Sequence, residues 1–145
     1  MTSWQGCINN FMRDGLCCDA AVISVAQQQV LRAHQGGILA RMTKPEIQAL
    51  LGRNRNTLLT QGLTLGGHKC LVIRDNLYTD AQQHTMDLRT KVYHEDKKDN
   101  CTHAIAVVLV NPICLILIGM QGIQGGTLNL KAFQTAKYIE EHLRQ

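Results

Sequence analysis

GLTLGGHKCLVIRD, residues 62–75, decides how this chain folds. Leu63-Thr64-Leu65 and the run from His68 to Asp75 read as two strands, and Gly66-Gly67 between them reads as a turn. MDLRTK, residues 86–91, reads as a further strand close by. The two segments bring Arg74 near Lys69 and Arg89 near Lys91. Cations at period-two spacing leave a strand on one side of its sheet. Two adjacent strands doing so make one basic face, either a solvated outer surface or a docking site for an acidic partner.

Working outward, residues 62–119 predict mostly strands, adding HAIAVVLV and ICLILIG on either side of Asn111-Pro112. Connectors this short exclude parallel crossovers, so the sheet is expected to be antiparallel. AAVISVA (20–26) and QQVLRAH (28–34) read as two more short strands. Ser3 can cap a helix bearing Trp4, Ile8, Phe11 and Met12 on one stripe, ended by Gly15. Thr43-Lys44-Pro45-Glu46 has the spacing of a capping box, with Ile47, Leu50 and Leu51 as the apolar face and Gly52 as the stop. A last helix is expected from about Asn129 to Leu143. The terminal helices should share one face of the sheet. VYHEDKKDN, residues 92–100, reads as an exposed loop.

The chain has 145 residues, 45% hydrophobic and 18% charged, which fits one domain of 1–145 with a proper core and excludes disordered and fibrous classes. A net charge of +4 favours acidic partners without singling out nucleic acid. MTSWQGCINNFMRDG has no apolar signal region, and the apolar runs are too short to span a bilayer. The expectation is a soluble cytoplasmic protein whose six cysteines are reduced thiols.

Other constellations carry little. GMQGIQGG (119–126) lacks the Lys-Ser or Lys-Thr of a Walker loop and fits a tight turn that brings backbone close to a partner. Cys101-Thr102-His103 lacks the second pair a zinc site needs, so no metal and no cofactor are expected. Nothing points to a nucleophile, and no enzymatic activity is expected. With aromatics only 4% of the chain and none among the sheet cations, base stacking on that face has no platform, so nucleic acid is not an expected partner.

The chain resembles the profilins nearly end to end. The resemblance rests on Ser3-Trp4, DAAVIS from Asp19, TKPEIQALLG at 43–52, GLTLGGHKCLVIRD, MDLRTK, and GIQGGTLN at 122–129. It implies an α+β sandwich: a central antiparallel sheet, the N- and C-terminal helices on one face, a short helical segment on the other. It also implies a monomeric, non-enzymatic protein that binds monomeric actin, promotes its nucleotide exchange and serves the cytoskeleton. Lys69, Ile73, Arg74, Arg89, Lys91, Ile123, Gln124, Gly125, Asn129 and Phe133 map to the actin-facing surface. Lys69, Arg89 and Lys91 map to the surface that takes phosphoinositide headgroups. Trp4, Cys7, Leu31 and Tyr138 map to the site for proline-rich segments.

Departures from the family pattern qualify these expectations. Gln124 replaces a usual His, Leu130 a Lys, Phe133 a Tyr and Gln134 a Glu. The loop reading AQQHT is one residue longer and lacks an expected acid, and VYHEDKKDN is also longer. Cys7 stands for a usual Tyr and Leu31 for a usual Trp, and the chain ends Leu-Arg-Gln instead of on an aromatic. Actin binding altered in strength and weakened polyproline binding are the result expected. The alternative is a divergent profilin that has largely lost actin and works through phosphoinositides or another protein.

Overall fold

The computed structural model describes residues 4–79, 84–90 and 102–142. Among these residues, seven strands form one sheet in the order β2-β1-β7-β6-β5-β4-β3, every neighbouring pair antiparallel. The strands are β1 (Cys17–Ser24), β2 (Gln29–Ala33), β3 (Leu63–Leu65), β4 (His68–Asn76), β5 (Thr85–Thr90), β6 (Ala104–Val110) and β7 (Ile113–Gly119). The quoted stretch is a two-residue hairpin with Leu65 opposite His68. Gly66 and Gly67 sit at φ 57° and 85°, the pair of positive values that a type I′ turn demands. A side chain on Gly66 would strike the Ile38 carbonyl oxygen at 2.1 Å, so glycine is required there twice over.

Helices α1 (Trp4–Arg13) and α4 (Gly125–His142) lie on one face. Ile8, Phe11, Leu128, Ala132 and Ile139 pack there against Val22, Ala106, Leu115 and Leu117. On the other face, α2 (Lys44–Leu51) and the single turn α3 (Leu58–Gln61) cover Ile23, Val72, Leu88, Ile105 and Ile116. Strands β1, β6 and β7 are buried on both faces, which is why they read as unbroken apolar runs. The expected α+β sandwich is therefore present.

Several details differ from the sequence reading. α4 begins at Gly125, four residues earlier than expected, so the two glycines of the turn motif form its first turn. β1 begins at Cys17, making the Cys17-Cys18 pair part of the strand. The turn Leu39–Arg41 and α3 have no counterpart in that reading, because both are too short to carry a hydrophobic period. Gly52 ends α2 in an extended conformation, without the left-handed cap. The proposed Ser3 cap, Lys91 and the loop 92–100 lie outside the described residues.

The capping box at α2 is present and does more than cap. The Thr43 hydroxyl accepts from the Glu46 amide, and the Glu46 carboxylate accepts from the Thr43 amide at 3.0 Å. The same carboxylate accepts from the amides of Gly66 and Gly67, each at 3.0 Å. One side chain thus clamps α2 to the β3–β4 hairpin. We expect Glu46→Ala to destabilise the fold by about 2 kcal/mol, combining a lost cap with lost charge-assisted bonds. A urea titration checks this, and a loss below about 0.5 kcal/mol would mean that water replaces the clamp.

Candidate binding surface

Strand β4 buries Cys70 and Val72 and turns Lys69, Leu71 and Ile73 outward. Lys69 and Arg74 are five residues apart, an odd spacing that a regular strand would send to opposite faces. A bulge between Val72 and Arg74 in the pairing with β5 inserts one residue. It returns Arg74 to the outer face beside Ile73 and sends Asp75 inward. There Asp75 accepts two bonds from Arg55, both at 2.9 Å. On β5, Met86 and Leu88 pack into the core, while Asp87 and Arg89 face outward.

Helix α4 runs beside this outward face. Gly125, Asn129 and Phe133 follow one another at intervals of four, as do Gly126 and Leu130, so all five share a side of the helix. Sheet and helix enclose an open groove of about 520 Å³. Ile73, Arg74, Arg89, Gly125, Asn129 and Phe133 all line it. Neither Gly125 nor Gly126 would meet any atom within 4 Å if it carried a Cβ, so these two leave the groove's end open.

The remaining expected residues lie around the groove or outside it. Lys69 is exposed on β4, opposite Thr64 and away from the groove lining. Gln124 is exposed just before α4, and half-buried Ile123 packs against the core beneath α4. The groove also has members that sequence reasoning did not assign. Asp87 accepts from Asn129 Nδ2 at 2.7 Å and faces Arg74 Nε at 4.0 Å. Arg89 Nε donates to Thr102 Oγ1 at 2.8 Å, which fixes its stem. Leu130, noted only as a departure, is 56% exposed on the groove's helical wall, as Ile73 is 57% exposed on the opposite one. Asp87 had a legible signal, since it stands two residues before Arg89 in a strand.

The residues expected to take proline-rich ligands are only partly gathered. Cys7 and Tyr138 line a hollow of about 260 Å³ between α1 and α4, floored by Phe11. Tyr138 is exposed there, but Cys7 is nearly buried. Leu31 lies beside Gln5 and Ala40 in a separate hollow of about 510 Å³. It is the extra residue at a bulge where edge strand β2 pairs with β1, and its carbonyl accepts from the Arg32 guanidinium. Half-buried Trp4 lines neither hollow.

Burial pushes the thiols of Cys7 and Cys18 up and raises Cys17 and Cys70 to about 11, Cys114 to about 12. All five stay protonated at neutral pH and are poor nucleophiles. Among the described residues, no group of three or more His, Cys, Asp or Glu could hold a metal.

Comparison with known proteins agrees with this architecture. The profilin family model matches residues 2–142. Profilin-2 of Rattus norvegicus is 39% identical over 142 residues, covering 97% of this chain and 98% of the relative. The crystal structure of human profilin II superposes with a TM-score of 0.87 at 38% identity, covering 96% of this chain and 99% of that one. Mouse profilin IIa, solved in complex with a double repeat from the FH1 domain of mDia1, gives a TM-score of 0.86 at 38% identity, covering 97% and 98%. The chain belongs to the profilin family of non-enzymatic, actin-binding cytoskeletal proteins.

Proposed function

We propose that this chain is a cytoplasmic, monomeric actin-monomer binder that uses the groove between β4, β5 and α4. One observation carries the reading. The β4 bulge and the helical face of α4 bring Ile73, Arg74, Arg89, Asn129 and Phe133 around one concavity, although they come from three separate elements. Its chemistry suits an acidic protein: apolar contact from Ile73, Leu130 and Phe133, with cations at the rim to steer and orient. Promotion of nucleotide exchange then needs only that one arrangement of actin be bound better than another, with no catalytic side chain. Direct titration of pyrene-labelled monomeric actin tests the proposal, together with a nucleation assay. Saturable binding with suppressed nucleation is the expected result, and no binding at physiological salt overturns it.

Phosphoinositide headgroups are the second ligand, through Lys69, Arg89 and Lys91. Because Arg89 belongs to both sites, vesicles and actin should compete. The attraction amounts to about 1 kcal/mol per cation near the surface and fades with salt. Vesicles containing phosphatidylinositol bisphosphate should lower apparent actin affinity, and simultaneous binding of both would count against a shared site. Vesicle binding without any actin binding would favour a profilin that works through phosphoinositides alone. Proline-rich segments are a third ligand class, since mouse profilin IIa is solved with FH1 repeats. Here their binding is expected to be weak.

A further inference from the structure

Among the described residues that line the groove, Asp87 is the one carboxylate, set beside the cations Arg74 and Arg89. Its side chain is 18% exposed, against 69% for the Arg74 it faces. Its Oδ1 takes the bond from Asn129 of α4, and its Oδ2 faces the Arg74 guanidinium. Asp87 therefore ties the sheet to the helix and at the same time offers Arg74 an internal counter-ion. At 4.0 Å and with Arg74 mostly exposed, that pairing is loose enough for an incoming anion to displace.

We propose that Asp87 is a specificity-determining residue of the groove, an internal carboxylate that favours singly charged carboxylates of a protein partner over phosphate-bearing headgroups. The inference rests on the proposal that actin and phosphoinositides share the groove through Arg89, and extends the headgroup's contacts to Arg74 in the same lining. Repulsion by a fixed charge scales with the charge of the ligand. A phosphomonoester carries about −1.5 to −2 at neutral pH, and a bisphosphorylated headgroup more. A partner carboxylate carries a single negative charge and comes with apolar surface that Ile73, Leu130 and Phe133 can cover. Asp87 thus costs a headgroup more than it costs a protein carboxylate, and Arg74 is withheld more effectively from the ligand that offers no apolar contact.

The test compares binding of phosphatidylinositol 4,5-bisphosphate vesicles with binding of monomeric actin. Asp87→Asn removes the charge while leaving an oxygen for Asn129, and Asp87→Ser removes the charge with a shorter side chain. Both should strengthen vesicle binding about fivefold and steepen its salt dependence. Actin affinity should rise less, so that the vesicle-to-actin ratio shifts by about threefold or more. Asn129→Ala breaks the bridge to α4 but keeps the charge, and should give no gain in vesicle binding, whatever it costs actin as a groove residue. In an Arg74→Gln background, the gain from Asp87→Asn should shrink. An unchanged ratio in the Asp87 variants, or an equal gain in vesicle binding by Asn129→Ala, would overturn the proposal. If the parent protein binds neither ligand, the reading of the groove falls and this inference with it. If the parent binds both and only the Asp87 variants fail to respond, the groove stands and the inference alone is lost.

Discussion

Arg74→Glu combined with Arg89→Glu should weaken actin-monomer binding by roughly 2–4 kcal/mol, a loss of about thirtyfold or more. The change removes two cations from the rim and puts two acids opposite an acidic partner. Arg74 is mostly exposed, and its ion pair with Asp87 among the described residues is long, so its side chain is available to a ligand. Arg89 is steadied through Nε by Thr102. The double Arg→Gln variant separates lost attraction from added repulsion and should lose less. Lys69→Glu lies outside the groove lining and should lose least. Because an acid in place of Arg74 would face Asp87, thermal melts must accompany the titration, and a fall in Tm of a few degrees is tolerable. The difference between variant and parent should narrow as salt is raised, since exposed charges are screened. Binding equal to the parent at physiological salt would remove this surface from the proposal.

How much of this was legible depended on the kind of physics involved. The Gly-Gly hairpin, the Thr43–Glu46 capping box and the two-sided burial of β6 and β7 are local and periodic, and the sequence is enough to read each of them. The start of α4 is different. Glycine lowers helix propensity by about 1 kcal/mol, so Gly125-Gly126 argue against a helix until packing of Leu128 and Ala132 overrides them. The bulge at Ile73 has no sequence signature, since nothing in VIRD says that one residue will be skipped in the pairing with β5. Without it, the odd spacing of Lys69 and Arg74 argues against a shared face. The period-two spacing read from the sequence is true of Arg89 and Lys91 but not of Lys69 and Arg74, so the outward place of Arg74 rests on the bulge. Asp87 escapes notice for the opposite reason: a search for cations does not register the acid standing among them.

The same contrast governs proline-rich ligands, for which we expect a defect. A preformed polyproline helix binds by laying its rings between aromatic walls. Between α1 and α4 the wall keeps Tyr138, 44% exposed, but the facing position is Cys7, which is 6% exposed and offers the hollow almost nothing. Leu31 gives apolar area on the other side of α1, in a separate hollow. Trp4 is half-buried and lines neither. Loss of a central aromatic in an interface often costs roughly 2 kcal/mol or more. Two such losses would weaken binding by about a hundredfold or beyond, less whatever Leu31 returns. Titration with a proline-rich peptide, followed by fluorescence of Trp4, the single tryptophan, should give at most weak binding. Cys7→Tyr with Leu31→Trp should recover it, because the hollows of about 260 and 510 Å³ leave space for both rings. Calorimetry should confirm the recovery, since the new tryptophan adds its own signal. Each single variant should recover only part, because Cys7 lines the hollow between α1 and α4 and Leu31 a separate one. Tight binding by the unmodified chain would show that Phe11, Tyr138 and the stem of Lys131 already make a sufficient wall, and that aromatic count is a poor guide to this groove.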